Sequence, residues 1–71
     1  LRPEESERLL RIGLLFDRAV EVLGGREPAQ EWFTTPIIAL GRVSPLDYAD
    51  TEPGAREVEN VLGRIEYGVF S

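Results

Sequence analysis

The segment from Thr51 to Ser71, TEPGAREVENVLGRIEYGVFS, sets the strongest limit on how this chain folds. Turned at roughly 100° per residue, it places Ala55, Val58, Val61, Leu62 and Ile65 on one apolar stripe. Arg56, Asn60, Gly63, Arg64 and Tyr67 fall on the opposite face and run as one ribbon toward the end of the chain. Thr51 is placed to cap the helix, and Gly68 is placed to stop it. A helix over about 52–67 follows, with Val69, Phe70 and Ser71 as an apolar tail beyond it. Gly63 is out of keeping with an exposed helix, where glycine costs about 1 kcal/mol relative to alanine. Two readings stand for it: a tolerated glycine, or a site of close approach by another chain.

The rest of the chain is punctuated into helical pieces. Pro3 suits a first helical turn, and Glu4 and Glu5 suit the positive end of the helix dipole. A first helix is expected from about Pro3 to Leu23, with Gly24-Gly25 as a left-handed stop. A short helix is expected from about Pro28 to Phe33. It ends at Thr35-Pro36, because the residue before a proline is pushed out of the helical region. Ile37 to Leu40 has the pattern of a buried strand, but no second strand is expected to pair with it. It is read as an apolar connector or single turn. Ser44, Pro45 and Asp47 form a cap, a first-turn proline and a third-position acid, opening a short helix to about Ala49.

The fold expected is therefore all-α: a small bundle of two longer helices, about 3–23 and 52–67, with two short helices between them. In the first helix Leu9, Ile12, Phe16, Ala19, Val20 and Leu23 share the core-facing stripe. Leu10 and Leu14 fall on the far side, beside Asp17 and Glu21. They are either covered by another segment or left as scattered exposed leucines, or they form a second apolar seam for a partner. Trp32 and Phe33 are expected as core anchors of the short helix.

At 71 residues the chain makes one small domain with a marginal core. It has no Cys, which removes disulfides, zinc-thiolate sites and thiol catalysis, and no His, which removes the usual general base. All eight basic residues are Arg, so no lysine Schiff base can form. The net charge of −5 opposes a phosphate-binding role for this segment. No membrane span or signal peptide is evident, so a cytoplasmic protein is expected. The chain lacks Met at its first position and is expected to be a fragment of something longer.

Carboxylates pair at Glu4/Glu5, Glu57/Glu59 and Asp47/Asp50, yet no spaced ligand set accompanies them, and solvated helical faces explain them better. The hydroxyls of Ser6, Thr34, Thr35, Ser44 and Thr51 have no histidine or lysine to activate them. Gly24-Gly25 lacks the motif of a phosphate loop. An enzyme is not expected, nor a metal or cofactor of its own. Composition and spacing end at a small acidic helical interaction domain.

The order of motifs goes further. Trp32-Phe33-Thr34-Thr35-Pro36 is followed by Ala39-Leu40-Gly41, Ser44-Pro45-Leu46-Asp47 and Thr51-Glu52-Pro53-Gly54. The series closes on Leu62-Gly63-Arg64-Ile65-Glu66-Tyr67-Gly68. This resembles the toxin-binding domain of Xre/MbcA/ParS-type antitoxins, over about Leu15 to Ser71. The chain departs from the family pattern at Ile37-Ile38, where Asn-Pro is frequent, and at Arg42, where a second glycine is frequent.

The resemblance implies an antitoxin of a type II toxin–antitoxin system that binds a RES-domain toxin. Such toxins use NAD, by degrading it or by transferring its ADP-ribose. It also implies a homodimer, for which the Leu10 and Leu14 face read from the helix spacing is a possible seam, and DNA contact only through a helical domain preceding Leu1. The family's C-terminal helix and tail are held to cover the toxin's cleft, which points to Arg64, Tyr67, Gly68, Val69, Phe70 and Ser71. With the exposed ribbon, the expected partner-binding set is Arg56, Asn60, Gly63, Arg64, Tyr67, Gly68, Val69, Phe70 and Ser71. Glu57, Glu59 and Glu66 would steer the domain toward a basic cleft. The alternative is an oligomerisation or DNA-binding regulatory module of a transcriptional repressor.

Overall fold

The computed structural model describes residues 3–70, and side chains from Glu5 to Gly68. Four α-helices appear in chain order: α1 (Pro3–Leu23), α2 (Arg26–Thr34), α3 (Pro45–Tyr48) and α4 (Glu52–Phe70), with a 3₁₀ turn at Ile38–Leu40. The two long helices pack on each other, α2 covers another side of α1, and α3 bridges α2 and α4. The all-α bundle expected from the sequence is the fold observed.

α1 ends where the paired glycines place its stop. Gly24 takes φ 82°, and the Gly24 and Gly25 amides both donate to the Val20 carbonyl, at 2.9 and 3.1 Å. These bonds satisfy a carbonyl that the helix end would otherwise leave bare. α2 begins at Arg26, two residues before the expected start at Pro28. A proline in the first turn is tolerated because its missing N–H would find no helical partner there. The helix stops at Thr35, extended at φ −101° and ψ 130° ahead of Pro36.

The connector contains the expected single turn, together with a pairing that was not expected. Ile37 forms an isolated antiparallel bridge with Val43, its amide donating to the Val43 carbonyl at 3.2 Å. The Arg42 amide closes the loop onto the Ile37 carbonyl at 2.9 Å. To turn this tightly the chain places two successive residues in the left-handed region, Gly41 at φ 71° and Arg42 at φ 67°. Arg42 thus holds a backbone conformation that glycine adopts without the Cβ penalty. Ile38, at the start of the 3₁₀ turn, is left 85% exposed.

Both expected caps form. Ser44 Oγ accepts from the Asp47 amide at 3.2 Å, and Thr51 Oγ1 accepts from the Gly54 amide at 3.1 Å. α4 does not stop at Gly68, as the sequence suggested, but continues through it to Phe70. A glycine stop requires the left-handed region, and among the described glycines only Gly24 and Gly41 have positive φ. Gly68 is compatible with a stop but does not force one, and Val69 and Phe70 both continue a helix.

The core is built from Leu15 and Ala19 of α1, Ala29 and Phe33 of α2, Leu40, Ala49, and Ala55, Val58, Val61 and Leu62 of α4. The α4 stripe is the one expected, with Ile65 partly buried at its end. Phe33 meets Phe16 edge-on at 6.0 Å, and Trp32 packs partly buried beside it. The α1 stripe is corrected: Leu9 is 62% exposed, while Leu15 is buried and Val22 joins the packing. The cause lies at the N-terminal end of α1. There Arg8 and Arg11 reach Asp50, in the α3–α4 junction. The domain therefore lies against the Arg8–Arg11–Leu15 side of the helix and leaves Leu9 uncovered.

Candidate partner-binding face

Packing of Val58, Val61 and Leu62 into the core fixes the rotation of α4 and decides what its other side presents. Arg56, Asn60, Arg64, Tyr67 and Gly68 are exposed, and Gly63 is half-buried. Tyr67 is 74% exposed, so its ring does not serve the domain's own core. A Cβ added to Gly63 would meet no atom within 4 Å, so nothing inside the domain requires glycine there. Val69 and Phe70 continue the α4 backbone, but their side chains, like all of Ser71, lie outside the described residues.

The ribbon borders a surface shared with α1. One open groove between the helices is lined by Arg11, Leu14, Leu15 and Arg18 of α1 and by Glu52, Ala55, Arg56 and Glu59 of α4. A second, lined by Asn60, Gly63, Arg64 and Tyr67 together with Glu57, runs into the first, since both include Arg18 and Glu59. The structure thus places Leu14 and Arg56 on one groove, residues the sequence assigned to different surfaces. Leu10 and Leu14 are 66% and 61% exposed, so no described segment covers them.

Electrostatics at this end differ from the sequence expectation in one place. Glu66, expected to help steer the domain, is tied to Arg18. Arg18 Nη2 donates to Glu66 Oε1 at 2.8 Å, and Nη1 to Oε2 at 3.4 Å. The fork-on-carboxylate arrangement neutralises Glu66 within the domain. Glu57 and Glu59 remain exposed. Arg18, like Arg11 on the first groove, is a residue of this face that sequence reasoning passed over. Its partner is 48 positions away, and only the docking of α1 on α4 brings them together.

Among the described residues no group of three or more His, Cys, Asp or Glu side chains is placed to hold a metal ion. No described helix is long and apolar enough to cross a membrane.

Comparison with known proteins agrees with the motif order. Residues 18–68 match the model of the antitoxin Xre/MbcA/ParS C-terminal toxin-binding domain. The chain is 49% identical over 70 residues to an antitoxin Xre of Yersinia enterocolitica, covering 97% of the chain and 47% of that protein. It is 42% identical over 69 residues to an antitoxin Xre of Photorhabdus laumondii, covering 96% of the chain and 47% of that protein. A protein of Sphingobium named "Prs ADP-ribosylating antitoxin" is 35% identical over 80 residues, covering 100% of the chain and 50% of that protein. The chain therefore spans about half the length of these curated relatives.

Proposed function

Since the chain belongs to the Xre/MbcA/ParS C-terminal toxin-binding domain family of antitoxins, we propose that it neutralises a RES-domain, NAD-using toxin by covering the toxin's cleft with the end of α4. The family is one of binding domains, so the chain is a binding module and not an enzyme. The observation that carries the reading is the exposed ribbon of α4, where Arg56, Asn60, Arg64 and Tyr67 project outward around Gly63. An aromatic and arginines on a helical face around a glycine are the anchors protein interfaces favour. The partner's NAD chemistry is supported by the resemblance of the motifs and by the name of the Sphingobium relative.

With α4 helical to Phe70, the end presented to a toxin is a helix and not a loose tail. That changes the entropy of binding: a preformed helix loses less freedom on docking than a flexible strand would. Val69, Phe70 and Ser71 belong to the proposed contact. The test is co-purification with the toxin, comparing the full chain with one ending at Gly68. Equal capture and equal neutralisation by the shortened chain would remove the last residues from the mechanism and leave the ribbon as the contact.

One observation favours a second, compatible property. Leu10 and Leu14, one turn apart on α1, are both exposed, an apolar pair suited to self-association into a homodimer. Sedimentation of the Leu10→Glu/Leu14→Glu variant tests it, and an unchanged assembly state would clear these leucines of that role. DNA contact, in this reading, is left to other parts of the cytoplasmic protein, because this domain carries net charge −5.

A further inference from the structure

The structure makes Arg18 a positioning residue for the partner-facing end of α4, through its ion pair with Glu66; we infer that this pair fixes the orientation in which Arg64 and Tyr67 are presented. The inference rests on the reading of the α4 ribbon as the toxin contact. Among the described residues, the last apolar side chain of α4 packed against the core is Ile65, and it is only partly buried. The stripe that holds the helix thus weakens just before the ribbon's last aromatic. At the next position Glu66, with its side chain 33% exposed, turns back toward α1 and is gripped by both terminal nitrogens of Arg18.

The geometry of that grip matters more than its charge. A guanidinium fork on a carboxylate sets both distance and direction, which a single contact does not. Glu66 lies between Arg64 and Tyr67 in sequence, so holding it fixes the rotation of the turn that carries them. Arg18 also meets Glu21 one turn further along α1, but only at 3.9 Å and with Glu21 75% exposed, so Glu66 is the partner that decides its position. Arg18 borders both grooves of the face, so the clamp sits within the surface a partner would cover.

The experiment compares wild type, Arg18→Gln, Glu66→Gln and the charge-exchanged Arg18→Glu/Glu66→Arg chain by two readouts. Amide hydrogen exchange without partner is expected to show protection at residues 63–68 falling about tenfold in each single variant, with 55–62 unchanged and the exchanged chain restored. Binding to the purified cognate RES-domain toxin is expected to weaken about tenfold in the single variants and to recover in the exchanged chain. Unchanged protection at 63–68 overturns the inference, and so does an equal loss at 55–62, which would make the pair a general stabiliser. Weakened binding that the exchange does not restore also overturns it, since Arg18 would then touch the toxin directly. If protection behaves as expected and wild type captures no toxin, the clamp stands and the toxin reading falls.

Discussion

The backbone at Gly54 runs directly beneath the Tyr48 carbonyl, so close that a Cβ at position 54 would overlap its oxygen. This contact gives the glycine of the Thr51–Gly54 motif a physical purpose. Thr51 Oγ1 caps the Gly54 amide, and the missing side chain lets the first turn of α4 nest against the end of α3. Because the obstacle is backbone, no rotamer change relieves it. Gly54→Ala is expected to cost at least about 3 kcal/mol, a large share of the stability of a domain this small. Urea unfolding followed by circular dichroism measures it, and a loss below about 1 kcal/mol would show that α3 and α4 separate easily.

Arg42 invites the opposite change. Its φ of 67° costs a residue with a Cβ about 1–2 kcal/mol. Glycine avoids that cost but brings a more flexible unfolded chain, worth about 0.4–1 kcal/mol. The difference leaves Arg42→Gly equal in stability to wild type or more stable by up to about 1.5 kcal/mol in the same urea titration. The arginine is exposed and accepts no role in the core, so a destabilised variant would mean that its side chain makes a contact of value elsewhere.

The two caps make a matched pair of tests. Ser44→Ala and Thr51→Ala each leave an amide without its side-chain acceptor, that of Asp47 and that of Gly54 respectively. Each is expected to cost about 1 kcal/mol. Ser44 is buried and Thr51 exposed, but the amides they cap reverse that order, Asp47 being exposed and Gly54 buried, so thermal melting should show losses of similar size.

These elements show what one sequence reveals and what it conceals. Caps, glycine stops and the α4 stripe depend on neighbours a few residues apart, and they were legible in Ser44, Thr51, Gly24 and the spacing from Ala55 to Ile65. Leu9 was misplaced because the rotation of α1 depends on distant contacts, among them the packing of Leu15 and Ala19 and the reach of Arg8 and Arg11 to Asp50. The Ile37–Val43 bridge escaped notice because one pair of residues leaves no strand pattern. Gly68 permitted a stop without imposing one. The exposed residues of the candidate face were legible as a helical ribbon. Its junction with α1 was not, since Arg18 and Glu66 meet only after the long helices dock.

In the proposed mode of binding, the ribbon around Gly63 is left clear for a partner. Since a Cβ there would meet nothing within 4 Å, the domain itself should accept a side chain at this position. Helix propensity predicts that Gly63→Ala gains up to about 1 kcal/mol, and Gly63→Leu should be no less stable than wild type. A close interface would not accept the added bulk. The test is therefore a binding titration of Gly63→Leu against the purified toxin proposed as its partner, with thermal melting of the same sample. An unchanged or raised melting temperature with affinity weakened at least about tenfold is the expected result. Wild-type affinity in the stable variant would contradict it and move the toxin contact off this face of α4.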